Sequence, residues 1–287
     1  MLIDTHAHLD FYTELTPVLD AALAANLSAI LAIGIGDGPA TMHRALEIAK
    51  ARSTPRLRLF ASAGIHPQEA HHATPESLAK LETLAADPHC IAIGEIGLDY
   101  YHFENPDIAI QQKAFRAQMK IAAAAAKPIL LHCRTSDQAT PQAKARFLVD
   151  GRTASASEDM LSMLEADWAP TGLPFVLHCF SGTPADAARA LAIGGYLSFA
   201  GNLTYTKSTV IQQVAAEAPA DRILVETDAP FLTPIPLRGE LNQPANVVHT
   251  AAVLARLRST TPVAIANQTT QNFHKLFPST HLLSTTN

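Results

Sequence analysis

The chain has 287 residues, of which 48% are hydrophobic and 16% charged, and its formal net charge is −5. This length suits two small domains or one barrel-sized domain, and the negative charge excludes a broad basic surface for non-specific nucleic-acid binding. Any phosphate partner would therefore be held locally, by a few basic side chains or by metal ions.

Cysteine usage and the first residues predict where the protein resides. The chain has three cysteines, and they show no paired spacing, which argues against a disulfide framework. The start, Leu2-Ile3-Asp4, has no basic region and no long apolar run, so we expect no signal peptide. We also expect no membrane span, which needs roughly 20 apolar residues. The sequence predicts a soluble, cytoplasmic protein, and we expect a monomer.

Short apolar segments alternate with helical segments along the chain. In the first half, strands are predicted at residues 2–6, 29–33, 57–63, 91–95 and 128–132, with helices at 16–25, 40–51, 74–86 and 106–126. In the second half, strands are predicted at 175–178, 195–199 and 222–228, with helices after 155 and 183 and at 208–217, 245–258 and 262–273. The strand before Glu95 is predicted to end at that carboxylate, where glycines follow.

The eight strand–helix repeats predict parallel strands joined by helical crossovers. Such units form an open doubly wound sheet or a closed barrel. The chain length favours an α/β fold of the (β/α)₈ TIM-barrel type, with residues 1–287 as a single domain. A glycine-rich dinucleotide or phosphate-loop fingerprint does not follow the first strand, which weakens the open-sheet alternative.

Histidines and acids fall at the predicted carboxyl ends of six strands. In a parallel barrel these ends open onto one face, where active sites of this fold lie. One such residue alone is more often a hydrogen-bonded core residue or a helix cap, but imidazoles and carboxylates together are the ligands of zinc and similar ions. The joint pattern predicts a metal site, and its residues are His6, His8, His66, Glu95, His132, His178 and Asp228.

The motifs around these residues resemble those of the TatD family of metal-dependent deoxyribonucleases, which are amidohydrolase-like barrels. The matching segments run in order along nearly the whole chain: Asp4-Thr5-His6-Ala7-His8-Leu9, Gly64-Ile65-His66-Pro67, Gly94-Glu95-Ile96-Gly97-Leu98-Asp99-Tyr100, His132-Cys133-Arg134, His178-Cys179-Phe180-Ser181-Gly182, Glu226-Thr227-Asp228-Ala229-Pro230, Arg238-Gly239 with Asn242 and Pro244, and Asn272 with Leu276-Phe277.

The resemblance implies a two-metal site. One ion would be held by His6, His8 and Asp228, and the second by His132 and His178, with Glu95 as the bridging ligand. His66 would contact the substrate phosphate or transfer a proton, and Asp228 would also orient or deprotonate the attacking water. The ions could be Zn²⁺, Mn²⁺, Mg²⁺ or Fe²⁺, and a pair of them can stabilise both the attacking and the leaving oxygen of a phosphoryl displacement.

The resemblance implies hydrolysis of DNA phosphodiester bonds, as a 3′–5′ exodeoxyribonuclease on single-stranded ends, with RNA left open as a substrate. Arg134 and Arg238 are candidate phosphate contacts, although a salt bridge or an ordinary solvated charge explains each as well. Tyr100, Tyr101 and Tyr205 could stack bases, but packing beneath the rim is the simpler interpretation.

The interval between His132 and His178 is longer than one strand–helix unit requires, and the surplus lies within about residues 136–172. Because loops after barrel strands line the site, we expect this insertion to cover part of the cleft mouth and to shape access for nucleic-acid ends. The alternative is a surface elaboration that contacts nothing.

Two other classes of function compete. A hydrolase on the same scaffold could act on another ester or an amide bond, for example an aminoacyl ester, although Glu95 speaks against those members that bridge their metals with a modified lysine. A non-enzymatic nucleic-acid-binding relative would be expected to have a broken ligand set, and none of the seven positions is missing.

Overall fold

The computed structural model describes residues 1–135 and 140–282. The strands are β1 (Leu2–Ala7), β2 (Leu27–Ala32), β3 (Arg58–Ala63), β4 (Cys90–Asp99), β5 (Ile129–Arg134), β6 (Leu148–Val149), β7 (Arg152–Thr153), β8 (Phe175–Leu177), β9 (Gly195–Phe199) and β10 (Ile223–Val225). The helices are α1 (Leu15–Ala24), α2 (Arg44–Arg52), α3 (Pro75–Ala85), α4 (Ile108–Ala124), α5 (Pro141–Arg146), α6 (Ala156–Met163), α7 (Pro184–Ala192), α8 (Thr209–Glu217), α9 (Val247–Leu257), α10 (Pro262–Leu276) and α11 (Ser279–Leu282).

Eight parallel strands form one sheet in the order β1-β2-β3-β4-β5-β8-β9-β10. The end of β1 and the residues after β10 join the two edges of the sheet. The Asp228 N–H donates to the His6 carbonyl (3.0 Å), and the His8 N–H donates to the Ala229 carbonyl (2.8 Å). Helices lie between successive strands of this sheet, as is usual for connections between parallel strands. The predicted (β/α)₈ barrel is confirmed.

Two apolar clusters fill the two layers of the barrel. The inner cluster takes one buried side chain or more from each strand of the barrel, including Phe60, Leu130 and Tyr196, and it also contains Phe273 and Phe277 from the C-terminal region. The larger outer cluster joins the other strand faces to the helices. The barrel interior is therefore a packed core and not a channel.

Threonine–proline pairs start four of the described helices. In each case the threonine side chain accepts a hydrogen bond from the third amide of the helix, and proline occupies the first turn, where its missing N–H costs nothing. The pairs are Thr74-Pro75, Thr140-Pro141, Thr183-Pro184 and Thr261-Pro262. Thr16-Pro17 does not act in this way, because α1 already begins at Leu15 with Glu14 as its cap.

The prediction that the fourth strand ends at Glu95 is wrong. β4 continues to Asp99, and Gly97 and Asp99 pair with His132 and Arg134 of β5. Gly97 permits this pairing because a Cβ there would lie 2.1 Å from the His132 carbonyl oxygen. The glycines that suggested a strand end instead allow a close backbone approach, so β4 brings two carboxylates to the mouth.

Two glutamines of α4 hold the strand ends that lead into the mouth. Gln118 accepts from the Ile65 N–H (2.7 Å) and donates to the Ile65 carbonyl (3.0 Å). Gln111 accepts from the Asp99 N–H (2.8 Å) and donates to the Asp99 carbonyl (2.9 Å). Both glutamines are buried, so these bonds fix the backbone beside His66 and at the end of β4.

The predicted insertion holds α5, the β6–β7 hairpin and α6, while its residues 136–139 lie outside the described part of the chain. Phe147 is buried and stacks on Tyr100 (5.5 Å between centroids), and Arg146 pairs with Asp107 (3.2 Å). The insertion therefore packs on the segment that follows β4.

Among the described residues, none of the helices is long and apolar enough to span a membrane.

Candidate metal centre

All seven side chains predicted as a site meet at the carboxyl end of the barrel. His6, Glu95 and His132 lie within β1, β4 and β5, and the other four follow β1, β3, β8 or β10 by one to three residues. Glu95, with only 4% of its side chain exposed, lies within 3.8 Å of five histidines, which are His6, His8, His66, His132 and His178.

The two oxygens of Glu95 face different histidines. Oε2 lies 3.4 Å from His6 Nε2 and 3.8 Å from His8 Nε2. Oε1 lies 2.7 Å from His178 Nε2 and 2.8 Å from His132 Nδ1. The carboxylate thus separates two groups of donors and touches both, which is the geometry that a bridging ligand needs.

The residues on the β1 side fit a metal ion. His6 Nε2 and His8 Nε2 lie 3.7 and 3.3 Å from Asp228 Oδ1, and both also face Glu95. Ligands at about 2.1 Å from a tetrahedral ion are separated by about 3.4 Å, so these spacings match the edges of a coordination shell. Both ring nitrogens of His6 and Nδ1 of His8 are buried without a hydrogen-bond partner among the described residues. A cation between these side chains would satisfy His6 Nε2, which faces Glu95 and Asp228.

Hydrogen bonds and opposite charges within the cluster outweigh the effect of burial on the pKa values of its ionisable side chains. Burial alone raises the pKa of Glu95, but the positive charge of His178 and the hydrogen bonds from His132 and His178 outweigh it and hold the pKa well below its usual value. Burial lowers the pKa of His132, yet its hydrogen bonds to Asp99 and Glu95 raise it to about 9. Without metal, protonated His132 and His178 therefore supply the positive charge that balances Glu95.

Asp228 is the most exposed carboxylate of the cluster, with 13% of its side chain accessible against 4% for Glu95. Burial raises its pKa, but the hydrogen bond with His8 and the positive charge of His178 outweigh burial and hold the pKa below its usual value, so the group is ionised. It combines negative charge with contact to the open mouth.

His66 differs from the other four histidines in its hydrogen bonding. Its Nδ1 accepts from the Gln68 N–H (3.3 Å), so the neutral ring carries its proton on Nε2, which lies 3.6 Å from Glu95 Oε1. Burial and the charge of His132 lower its pKa and keep the ring neutral. Proximity alone also groups His66 with Glu95 and His132 as potential ligands, but a protonated Nε2 is a donor and not a ligand.

Two carboxylates that sequence reasoning missed hold the outer nitrogens of the second histidine pair. Asp99 Oδ2 lies 3.3 Å from His132 Nε2, and Glu226 Oε1 lies 3.2 Å from His178 Nδ1. Metal-binding histidines usually donate their second N–H to such a group, which fixes the ring orientation. Their positions in the sequence could have indicated this role, because Asp99 lies four residues after Glu95 and Glu226 lies two residues before Asp228.

A third buried carboxylate ties the first strand to the last. Asp4 accepts from the Thr227 N–H (2.9 Å) and from the Thr227 hydroxyl (2.6 Å). Burial raises the pKa of Asp4 to about 8, against the lowering effect of these bonds. The contact fixes the backbone two residues before His6 and one before Asp228, so it sets the spacing between these two side chains.

We expect Glu226→Gln to weaken metal binding by roughly 10- to 100-fold, which is typical for loss of an orienting carboxylate. The amide has the same shape, but it can present its NH₂ group to His178 and no longer carries the charge. The measurement is the dissociation constant for Zn²⁺ or Mn²⁺, with the exposed Glu217→Gln of α8 as the matched control. Equal affinities of the two variants would contradict an orienting role for Glu226.

The two arginines predicted as substrate contacts come from different parts of the barrel, the end of β5 and the segment after β10. Arg134 is exposed, and its guanidinium stacks 3.7 Å from the centroid of the Tyr101 ring. Arg238 is exposed and lies 4.2 Å over the ring of Tyr205. Tyr100, in contrast, is fully buried, so it packs beneath the rim and has no free face for a base.

Comparison with known proteins identifies relatives along almost the full length. The family model described as TatD related DNase matches residues 3–278. The chain is 35% identical over 280 residues to a Bacillus subtilis (strain 168) protein described as an uncharacterized metal-dependent hydrolase, covering 96% of this chain and 99% of the relative. It is 34% identical over 246 residues to an Erwinia billingiae (strain Eb661) protein described as a 3′-5′ ssDNA/RNA exonuclease, covering 83% of this chain and 85% of the relative.

A solved structure agrees with this assignment. The crystal structure of a TatD homologue from Escherichia coli K12 superposes with a TM-score of 0.80 at 25% identity, covering 96% of this chain and 98% of the other. Its likeness extends over the whole barrel. The chain therefore belongs to the TatD family, whose model is described as TatD related DNase.

Proposed function

We propose that this chain is a metal-dependent hydrolase of phosphodiester bonds, acting as a 3′–5′ exonuclease on single-stranded DNA ends. The observation that carries the proposal is the division of Glu95 between two groups of donors, with Oε2 facing His6 and His8 and Oε1 facing His132 and His178. The description of the Erwinia billingiae relative supports the choice of substrate.

Two divalent ions would be held by His6, His8 and Asp228 on one side and by His132 and His178 on the other, with Glu95 shared. When bound, such ions lower the pKa of water and stabilise negative charge on phosphate oxygens. The mixed nitrogen and oxygen donors suit Zn²⁺, Mn²⁺ and Fe²⁺, and Mg²⁺ less well.

Two side chains act on the substrate and the attacking water. Asp228 is ionised and the most accessible carboxylate, so it accepts a hydrogen bond from water and orients it toward phosphorus. His66 presents its protonated Nε2 at the mouth, so it donates to a phosphate oxygen. Donation to that oxygen grows stronger as negative charge develops there.

Arg134 and Arg238 would hold the neighbouring phosphates. Each guanidinium lies over a tyrosine ring, which limits its motion and leaves its edge free to form a fork of donors. These contacts supply local positive charge in a chain whose formal net charge is −5.

The test incubates metal-loaded protein with single- and double-stranded DNA labelled at the 5′ or the 3′ end, with and without chelator. We expect 5′-labelled single strands to shorten one nucleotide at a time and chelator to stop the reaction. Chelator-insensitive cleavage refutes metal dependence. Absence of any cleavage of DNA or RNA, with an aminoacyl or other small ester hydrolysed instead, favours the competing hydrolase.

We also propose that the insertion shapes access to the mouth. A cavity of about 470 Å³ opens beside His178 and is lined by Ser155 and Ser157 of the insertion. The described residues 140–153 carry three basic side chains and one acid. Because Phe147 is buried, a deletion of residues 140–153 would remove a core side chain along with the surface loop.

A smaller deletion tests the insertion without that defect. The Ala154 N–H donates to the Phe147 carbonyl (2.8 Å), so residues 148–153 can be replaced by an Asn-Gly turn. We expect this variant to keep its unfolding midpoint and to alter the ratio of rates on long, short and structured substrates. Unchanged ratios across all three would show that the hairpin is only a surface elaboration.

A further inference from the structure

Two half-exposed phenylalanine rings lie beside the candidate metal centre. Phe11 is 44% exposed and Phe231 is 49% exposed, and their ring centroids lie 5.8 Å apart at an angle of 72°. Both rings also contact His8, at 5.5 and 5.8 Å between centroids. The pair therefore borders the mouth on the side of His6, His8 and Asp228.

The backbone around the two rings is fixed from below by one buried residue. Asn242 is fully buried, and its side chain donates to the carbonyls of Thr227 and Phe231. Its own carbonyl accepts from the hydroxyl of Tyr12, the residue after Phe11. The Phe231 N–H also donates to the Asp228 carbonyl (2.8 Å). The backbone that carries the rings is thus held in place, although about half of each side chain is open to solvent.

Two adjoining half-exposed aromatic rings beside polar groups are typical of a binding site. A flat apolar group stacked on one ring meets the edge of the other, because perpendicular rings offer one face and one edge. The space adjoins the side chain of His8, so such a group would be attached close to the bond that is cleaved.

We propose that Phe11 and Phe231 form a stacking site for the nucleobase next to the scissile phosphate. This inference rests on the proposed nuclease function and specifies how the substrate is positioned. Every base has a π-face and the two rings offer no hydrogen-bonding side chain, so the site accepts all four bases. The nuclease would then require a base at this position without selecting which one.

The experiment uses two single-stranded oligonucleotide series, with an abasic tetrahydrofuran unit at the 3′-terminal or at the penultimate position, beside the intact strand. We expect the wild-type kcat/KM to fall roughly tenfold or more at one of these positions, in line with stacking on an aromatic ring. Phe11→Ala and Phe231→Ala should lose a similar factor on the intact strand and almost nothing on that abasic strand. Phe231→Trp should retain the activity.

Phe103→Ala is the matched control, because Phe103 is also 48% exposed but contacts Arg146 of the insertion and not His8. Metal content is measured in every variant. If wild type cleaves intact and abasic strands equally, the stacking site is refuted while the nuclease stands. If the alanine variants lose the same factor on both strands, the rings only support His8, and the inference falls. If metal-loaded wild type cleaves no nucleic acid, the proposed nuclease function itself is refuted.

Discussion

Glu95→Ala is expected to abolish hydrolysis, lowering kcat by roughly 10³-fold or more, and to reduce bound metal from two ions per chain to less than one. The carboxylate faces all four proposed histidine ligands, with oxygen–nitrogen distances between 2.7 and 3.8 Å. Its loss removes one ligand from each ion and the negative charge between them, and such ions supply several kcal/mol of transition-state stabilisation.

Glu95→Gln separates charge from shape in the same position. The amide fills the same space, so we expect near-normal folding with the same loss of metal and activity. Glu82→Ala, which removes an exposed carboxylate of α3, is the matched control and should behave as wild type. Metal content comes from elemental analysis of dialysed protein. Two tightly bound ions and a rate within tenfold of wild type in Glu95→Ala would refute the bridging role.

Asp228→Asn is expected to lower kcat by roughly 10²- to 10³-fold and to remove only one ion, leaving the ion beside His132 and His178 in place. Asp228 Oδ1 contacts His6 and His8, whereas His132 and His178 face Glu95 Oε1 instead. The activity loss combines a missing ligand with a missing acceptor for the attacking water.

The stoichiometry distinguishes Asp228 from Glu95. We expect one ion per chain in Asp228→Asn, compared with two in wild type and fewer than one in Glu95→Ala. Asp20→Asn, at an exposed position in α1, serves as the control. Loss of both ions in Asp228→Asn, or retention of both, would contradict the division of the donors into two groups.

Sequence patterns predicted the barrel well because its determinants are local. Alternating apolar strands and threonine–proline helix starts depend on neighbouring residues, and their order along the chain leaves few topologies. The end of β4 was less predictable, because Gly97 continues the strand only through a close approach to His132, which lies on another strand.

The candidate site was also predicted only in part. Histidines and acids at strand ends indicated which residues meet, and the structure brings all seven together. The supporting carboxylates Asp99 and Glu226 were missed because their partners, His132 and His178, are 33 and 48 residues away in sequence. The pair formed by Phe11 and Phe231 was missed because apolar residues are expected in the core until their exposure is known.

The most direct test of the account is the rate of single-stranded DNA hydrolysis as a function of metal bound per chain. Metal-free protein is titrated with Zn²⁺ or Mn²⁺, and bound metal and rate are measured at each step. The account predicts that the metal-free protein is inactive and that the rate reaches its plateau only when two ions are bound. Full activity with one ion, or in the metal-free protein, would contradict a hydrolytic centre shared through Glu95.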